Sequence, residues 1–65
     1  MDRQVFIAYL STVAKFHEQD PVFLVTVYKD EIDTMKNWCK QNQHRYKYVT
    51  QTADKSFHFY EIFNS

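Results

Sequence analysis

Val22-Phe23-Leu24-Val25-Thr26-Val27-Tyr28 and the segment that follows it directly, Lys29-Asp30-Glu31-Ile32-Asp33-Thr34-Met35-Lys36-Asn37-Trp38-Cys39-Lys40-Gln41-Asn42-Gln43, decide the fold. The first part is almost wholly apolar and β-branched, which suits a strand buried on one face and at least partly covered on the other. The second part reads as a helix over Lys29 to Gln43. Asp30 or Lys29 starts it, Glu31 and Asp33 occupy its first turn, and Lys36, Lys40 and Arg45 lie toward its end, all complementing the helix dipole. Ile32, Met35, Trp38 or Cys39, and Asn42 mark its inner stripe.

Working outward toward the N-terminus, Glu18-Gln19-Asp20-Pro21 is a break, because the residue before proline is driven out of the helical region and proline can open a strand. From Asp2 to His17 the apolar residues Phe6, Tyr9, Leu10, Val13 and Phe16 recur at three- and four-residue steps, the pattern of one helix face, with Asp2 as its N-cap. Phe6, Ala8, Leu10 and Ala14 would instead line one face of a long strand, and the helix is the preferred of the two readings. Toward the C-terminus, Arg45 to Thr52 and Ser56 to Phe63 are aromatic and β-branched and flank Ala53-Asp54-Lys55, so they read as a hairpin. An even-numbered loop sets Thr52 opposite Phe57, Thr50 opposite Phe59 and Tyr46 opposite Phe63, with Val49, Tyr60 and Ile62 on the reverse side. The expected order is α-β-α-β-β, with a right-handed crossover around the second helix. The apolar last strand takes the centre. The fold class is therefore α+β in two layers, a three-stranded antiparallel sheet packed under two helices, as a single domain over residues 1–65.

Composition narrows the function. The chain has no glycine and one proline, which argues against linkers and a second domain. A chain this short buries only about 60% of the surface its unfolded form exposes, so packing needs a supplement. The single cysteine excludes an intrachain disulfide, which leaves association, and the 18% aromatic content supplies contact area for it. Net charge is zero, so no whole-molecule field draws the chain to nucleic acid or an acidic membrane. No apolar run approaches the roughly 18 residues a membrane span needs. Met1-Asp2-Arg3-Gln4 and the mixed segment after it lack the apolar run and small-residue cleavage site expected of a signal peptide. The expected compartment is the cytoplasm.

The run Val25-Thr26-Val27-Tyr28-Lys29-Asp30-Glu31-Ile32-Asp33-Thr34-Met35-Lys36-Asn37-Trp38-Cys39 with its Tyr-rich hairpin resembles small accessory proteins of large tailed phages. In those chains a strand ending in a Val-Thr-Val-like tripeptide leads through an acidic turn into a helix carrying Trp-Cys. The likeness covers the chain from Val22 onward and departs from the pattern in carrying its extra helix at the front. It implies a viral protein, in the host cytoplasm, that acts on a host protein by binding. It carries over no functional residues.

Catalysis has little to start from. Cys39 with His17, His44 and His58 would be the available nucleophile and bases, but Cys39 and His44 are off the i, i+4 face of a helix and no glycine-rich turn accompanies them. A buried, inert thiol beside Trp38 is the better reading. The same four residues lack the close pairs of a structural zinc site, so neither metal nor cofactor is expected. Glu18 with Asp20 solvates a turn, and Asp30, Glu31 and Asp33 meet a helix start. The chain reads as a non-enzymatic, protein-binding regulator, an inhibitor or modulator of a host protein. Its candidate contact residues are Tyr46, Tyr48, Phe57 and Phe59 of the hairpin with Val22, Leu24 and Tyr28 of the first strand, or that strand's alternate set Phe23, Val25 and Val27, and they meet either a partner or a second copy. The second reading is a single-stranded nucleic-acid binder using His44, Arg45, Lys47 and Lys55 beside the hairpin aromatics. Net charge zero ranks it lower, since it forgoes the phosphate term.

Overall fold

Asp2 starts the first helix as its N-cap, its carboxylate accepting from the Gln4 N–H at 3.3 Å, a contact that typically contributes about 1 kcal/mol. The computed structural model describes Asp2 to Asn64; Met1 and Ser65 lie outside the described residues. Its elements are α1 (Arg3–Phe16), β1 (Val22–Tyr28), a 3-10 turn (Lys29–Glu31), α2 (Ile32–Gln41), β2 (Arg45–Gln51) and β3 (Phe57–Phe63). The strands form one antiparallel sheet in the order β1-β3-β2. Residues 3–16 are therefore helical, and the last strand is central, as the apolar pattern implies. No described helix is long and apolar enough to cross a membrane.

Both helices cover one sheet face. Phe6 and Leu10 of α1 and Met35, Trp38 and Cys39 of α2 form one buried cluster with Phe23, Val25, Val27, Tyr60 and Ile62 of β1 and β3. Strand β2 contributes nothing to it, all of its residues being exposed. Tyr9 reaches the outer edge of β1, where its hydroxyl accepts the Thr26 N–H at 3.0 Å and so occupies a donor that an edge strand would otherwise present to another chain. Expectations for both helices need correction. Phe16 is not part of the inner stripe: it is 83% exposed, its ring meeting His17 edge-on in the last turn, beyond the last core contact. The second helix begins at Ile32, because Lys29 to Glu31 wind as the tighter 3-10 turn, and this turn carries Glu31 inward to 6% exposure instead of into a solvated first turn.

The end of α2 is closed by a pair of backbone hydrogen bonds, His44 N–H to the Cys39 carbonyl at 2.8 Å and Gln43 N–H to the Lys40 carbonyl at 3.3 Å. This Schellman arrangement requires a left-handed residue between them. Gln43 supplies it at φ 57° in a chain without glycine. The accompanying contact is an aromatic one: His44 stacks on Trp38 at 5.2 Å, while its Nδ1 hydrogen-bonds the Phe63 carbonyl at 2.9 Å. Asn42 turns its side chain back to the Trp38 carbonyl rather than into the core. At the same end of the molecule Asn64 donates to the carbonyls of His17 (2.8 Å) and Asp20 (2.6 Å), tying the chain after β3 to the α1–β1 connection.

The hairpin turn is built by Asp54 and Thr52 without glycine. The Asp54 carboxylate accepts the Ser56 N–H and the Thr52 hydroxyl, while the Thr52 N–H donates to the Phe57 carbonyl, the Phe57 N–H donates to the Thr52 hydroxyl oxygen and Lys55 takes φ 66°. The Ser56 N–H bond, then the Thr52 hydroxyl, holds the Asp54 carboxyl below its ordinary 3.8. A depressed carboxylate stabilises the fold above its unfolded pKa and loses that contribution as pH falls through the folded value. Wild-type stability is therefore expected to fall as pH drops below 3.8 more steeply than that of Asp54→Asn, measured by urea unfolding across this range. Gln43→Gly is expected to raise stability by about 1 kcal/mol, read from the urea midpoint, because glycine takes the left-handed position without a Cβ penalty.

Candidate binding surfaces

The sheet presents two different surfaces, and the register of the hairpin decides which residues share them. At one end the turn sets Thr52 against Phe57, and at the other β2 begins with Arg45 against Phe63. The chain has one more residue between Arg45 and Thr52 than between Phe57 and Phe63, so one must be left unpaired. Val49 is that residue, in a register shift between Tyr48 and Thr50. A bulge of this kind moves the following residues to the other face. Thr50 opposes Phe59 as expected, but Tyr46 opposes Ile62, not Phe63, and Tyr48 opposes Tyr60. The single aromatic set read from the sequence is thereby divided.

The face away from the helices carries Val22, Leu24, Thr26 and Tyr28 from β1 and Phe57, Phe59, Glu61 and Phe63 from β3, by their shared register opposite the buried set. Leu24 is 61% exposed, and Tyr28 and Phe57 meet edge-to-face at 5.5 Å. Arg45 and Lys47 complete this face on β2. The Arg45 guanidinium lies over the Phe63 ring at 5.8 Å, and Lys47 sits directly opposite Glu61. The charges at its middle are thus of opposite sign and adjacent. Among the predicted contact residues, Val22, Leu24, Tyr28, Phe57 and Phe59 come together here.

Tyr46 and Tyr48 lie on the helix side instead. There they flank Tyr60 edge-to-face at 6.0 and 5.7 Å, and they stay exposed. The nucleic-acid set is also divided: His44 borders a groove with Lys36 and Lys40 of α2, Arg45 lines that groove while its guanidinium lies over Phe63 on the open face, Lys47 faces the open side as well, and Lys55 is in the turn. Lys36 and Lys40 escaped the sequence reading because their helix-dipole role explained them fully; their spacing of one helical turn was the available signal.

The histidines are absorbed by packing. His17 bonds Asp20 at 2.8 Å and stacks on Phe23, whose other neighbour is His44, edge-on at 6.2 Å. His58 lies beside Tyr48. Cys39 is fully buried against the Met35 sulfur at 3.6 Å, and burial pushes its thiol up to about 11. Among the described residues no three His, Cys, Asp or Glu side chains group as a metal site. Because thiolate is the reactive form, Cys39 in the folded chain is expected to resist Ellman's reagent at about pH 8 and to react at once in concentrated guanidinium. No family model matches this chain, and neither does any curated protein or solved structure.

Proposed function

We infer that this chain is a small protein-binding regulator that engages a partner protein through the open face of its sheet. The observation that carries the reading is Leu24, 61% exposed on an apolar face that no second layer covers. A monomer of this size rarely leaves such a patch to water, since each buried Å² of apolar surface contributes about 25 cal/mol. Three features favour a protein over a nucleic acid on this face. Val22 and Leu24 are aliphatic and offer no stacking surface. Lys47 opposite Glu61 leaves little net charge at the centre, the composition of an interface core rather than of a phosphate track. Arg45 is engaged by Phe63.

The resemblance to accessory proteins of large tailed phages supports a partner drawn from host machinery, met in the host cytoplasm, and a modulating or inhibitory outcome. A binder of this kind needs no catalytic group, and the buried thiol of Cys39 fits that role. A second copy of the chain is the competing occupant of the same face. Its claim rests on the adjacent Lys47 and Glu61, whose opposite charges a symmetric pairing could exchange between copies.

Immobilised on beads in a bacterial lysate, the chain is expected to retain a protein at low and at high salt. Leu24→Lys places its new charge opposite Glu61, where a cross-strand pair offsets the cost to the sheet. It should keep the far-UV circular dichroism of the wild type and lose retention by about tenfold. Tyr48→Ala, on the helix side, should retain the partner as well as wild type does. Equal retention by Leu24→Lys would overturn the reading, and a dimer that survives dilution in light scattering would assign the face to self-association.

A further inference from the structure

On the helix side of the sheet, α2 and the outer strand β2 border a groove of about 570 Å³ lined by Lys36, Asn37, Lys40, His44, Arg45 and Tyr46. No carboxylate lines it, and its charge comes from Lys36 and Lys40, the Arg45 guanidinium lying over Phe63 on the open face. The nearest acidic residues in the chain turn elsewhere: Asp33 lines the cleft between the helices with Arg3, and Glu61 belongs to the open face. Lys36 and Lys40 stand one helical turn apart on α2, both exposed, and form a cationic wall.

Tyr46 is the groove's aromatic residue on the strand side, and Tyr48 continues the same face of β2 beyond the lining. Tyr46 is 40% and Tyr48 47% exposed, and both are braced edge-on by the buried Tyr60 between them. Two residues apart on a strand, their rings repeat at about 6.6 Å, a step that successive nucleotides of an extended strand can follow. The stack of His44 on Trp38 closes the end of the groove beside the last turn of α2. Braced, partly exposed rings beside a row of cations are the elements of single-strand recognition: stacking for the bases and charge for the backbone.

We propose that this groove binds single-stranded nucleic acid, with one base stacked on Tyr46, the next on Tyr48 beyond the lining, and phosphates met by Lys36 and Lys40. An acidic peptide would use the same lysines and leave the ring faces idle. The site is separate from the open face and does not depend on it.

The test is fluorescence anisotropy with a labelled oligothymidylate of about ten nucleotides on the full chain. Two phosphate contacts, each lowering the salt slope by about 0.7, should weaken binding about sevenfold between roughly 50 and 200 mM salt. Lys36→Glu with Lys40→Glu, both exposed, should abolish binding. Tyr46→Ala should weaken it about fivefold or more, whereas Tyr46→Phe should keep it. Phe57→Thr, on the open face, should leave it unchanged. The proposal is overturned by absence of binding at low salt, or by loss in Phe57→Thr with none in Tyr46→Ala, which would move the strand to the other face. It is equally overturned if polyglutamate displaces the oligonucleotide and Tyr46→Ala binds like wild type, which would make the groove an acidic-peptide site.

Discussion

The surface of this protein depends on a strand held at both ends with one residue to spare. At its start β2 is fixed by the left-handed turn at Gln43, which puts His44 under Trp38 and within reach of the Phe63 carbonyl. At its end it is fixed by the Asp54 and Thr52 network of the hairpin. Neither anchor can slip without breaking several hydrogen bonds, so the surplus residue leaves the ladder at Val49. That one irregularity sends Tyr46 and Tyr48 to the helix side while Phe57 and Phe59 stay on the open side. A strand of regular register would have gathered them into one patch.

The second determinant is the shortage of covering layers. Two helices over three strands bury one sheet face only, and the core on that face draws on β1 and β3 but not on β2. The cost of the arrangement is apolar surface left in water around Leu24 and Phe57, and its benefit is a rigid platform on which side chains are aimed by the pleat. Tyr9 at the Thr26 N–H and the Val49 bulge disturb the two outer edges of the sheet. Such features hinder strand addition, so recognition by faces rather than by edges is the mode this sheet favours.

Charge follows the same logic. A balanced total conceals an uneven layout, with the acidic Glu18, Asp20, Asp30 and Asp54 set in connections and turns and with Lys36 and Lys40 aligned along one side of a helix. Composition averages over this layout. A helical repeat and a strand parity together place cations beside tyrosines on one side and cancel Lys47 against Glu61 on the other.

The sequence by itself determined the order of elements, the N-cap at Asp2, the central place of the last strand and most of the core. Each of these follows from local propensity or from a hydrophobic period that residues reveal on their own. Phe6, Leu10 and Met35 are buried where that period puts them, whereas which face of β1 and of the hairpin turns inward was left open by the pattern. Only the tertiary structure decided the bulge at Val49, the inward turn of Glu31 and the pairing of α2 lysines with β2 tyrosines. Register between strands depends on anchors at both ends of the pair, and a groove depends on residues ten or so positions apart meeting in space. Neither quantity is a property of any window of the chain, so pattern reading could name the aromatic residues but not the surfaces they would form.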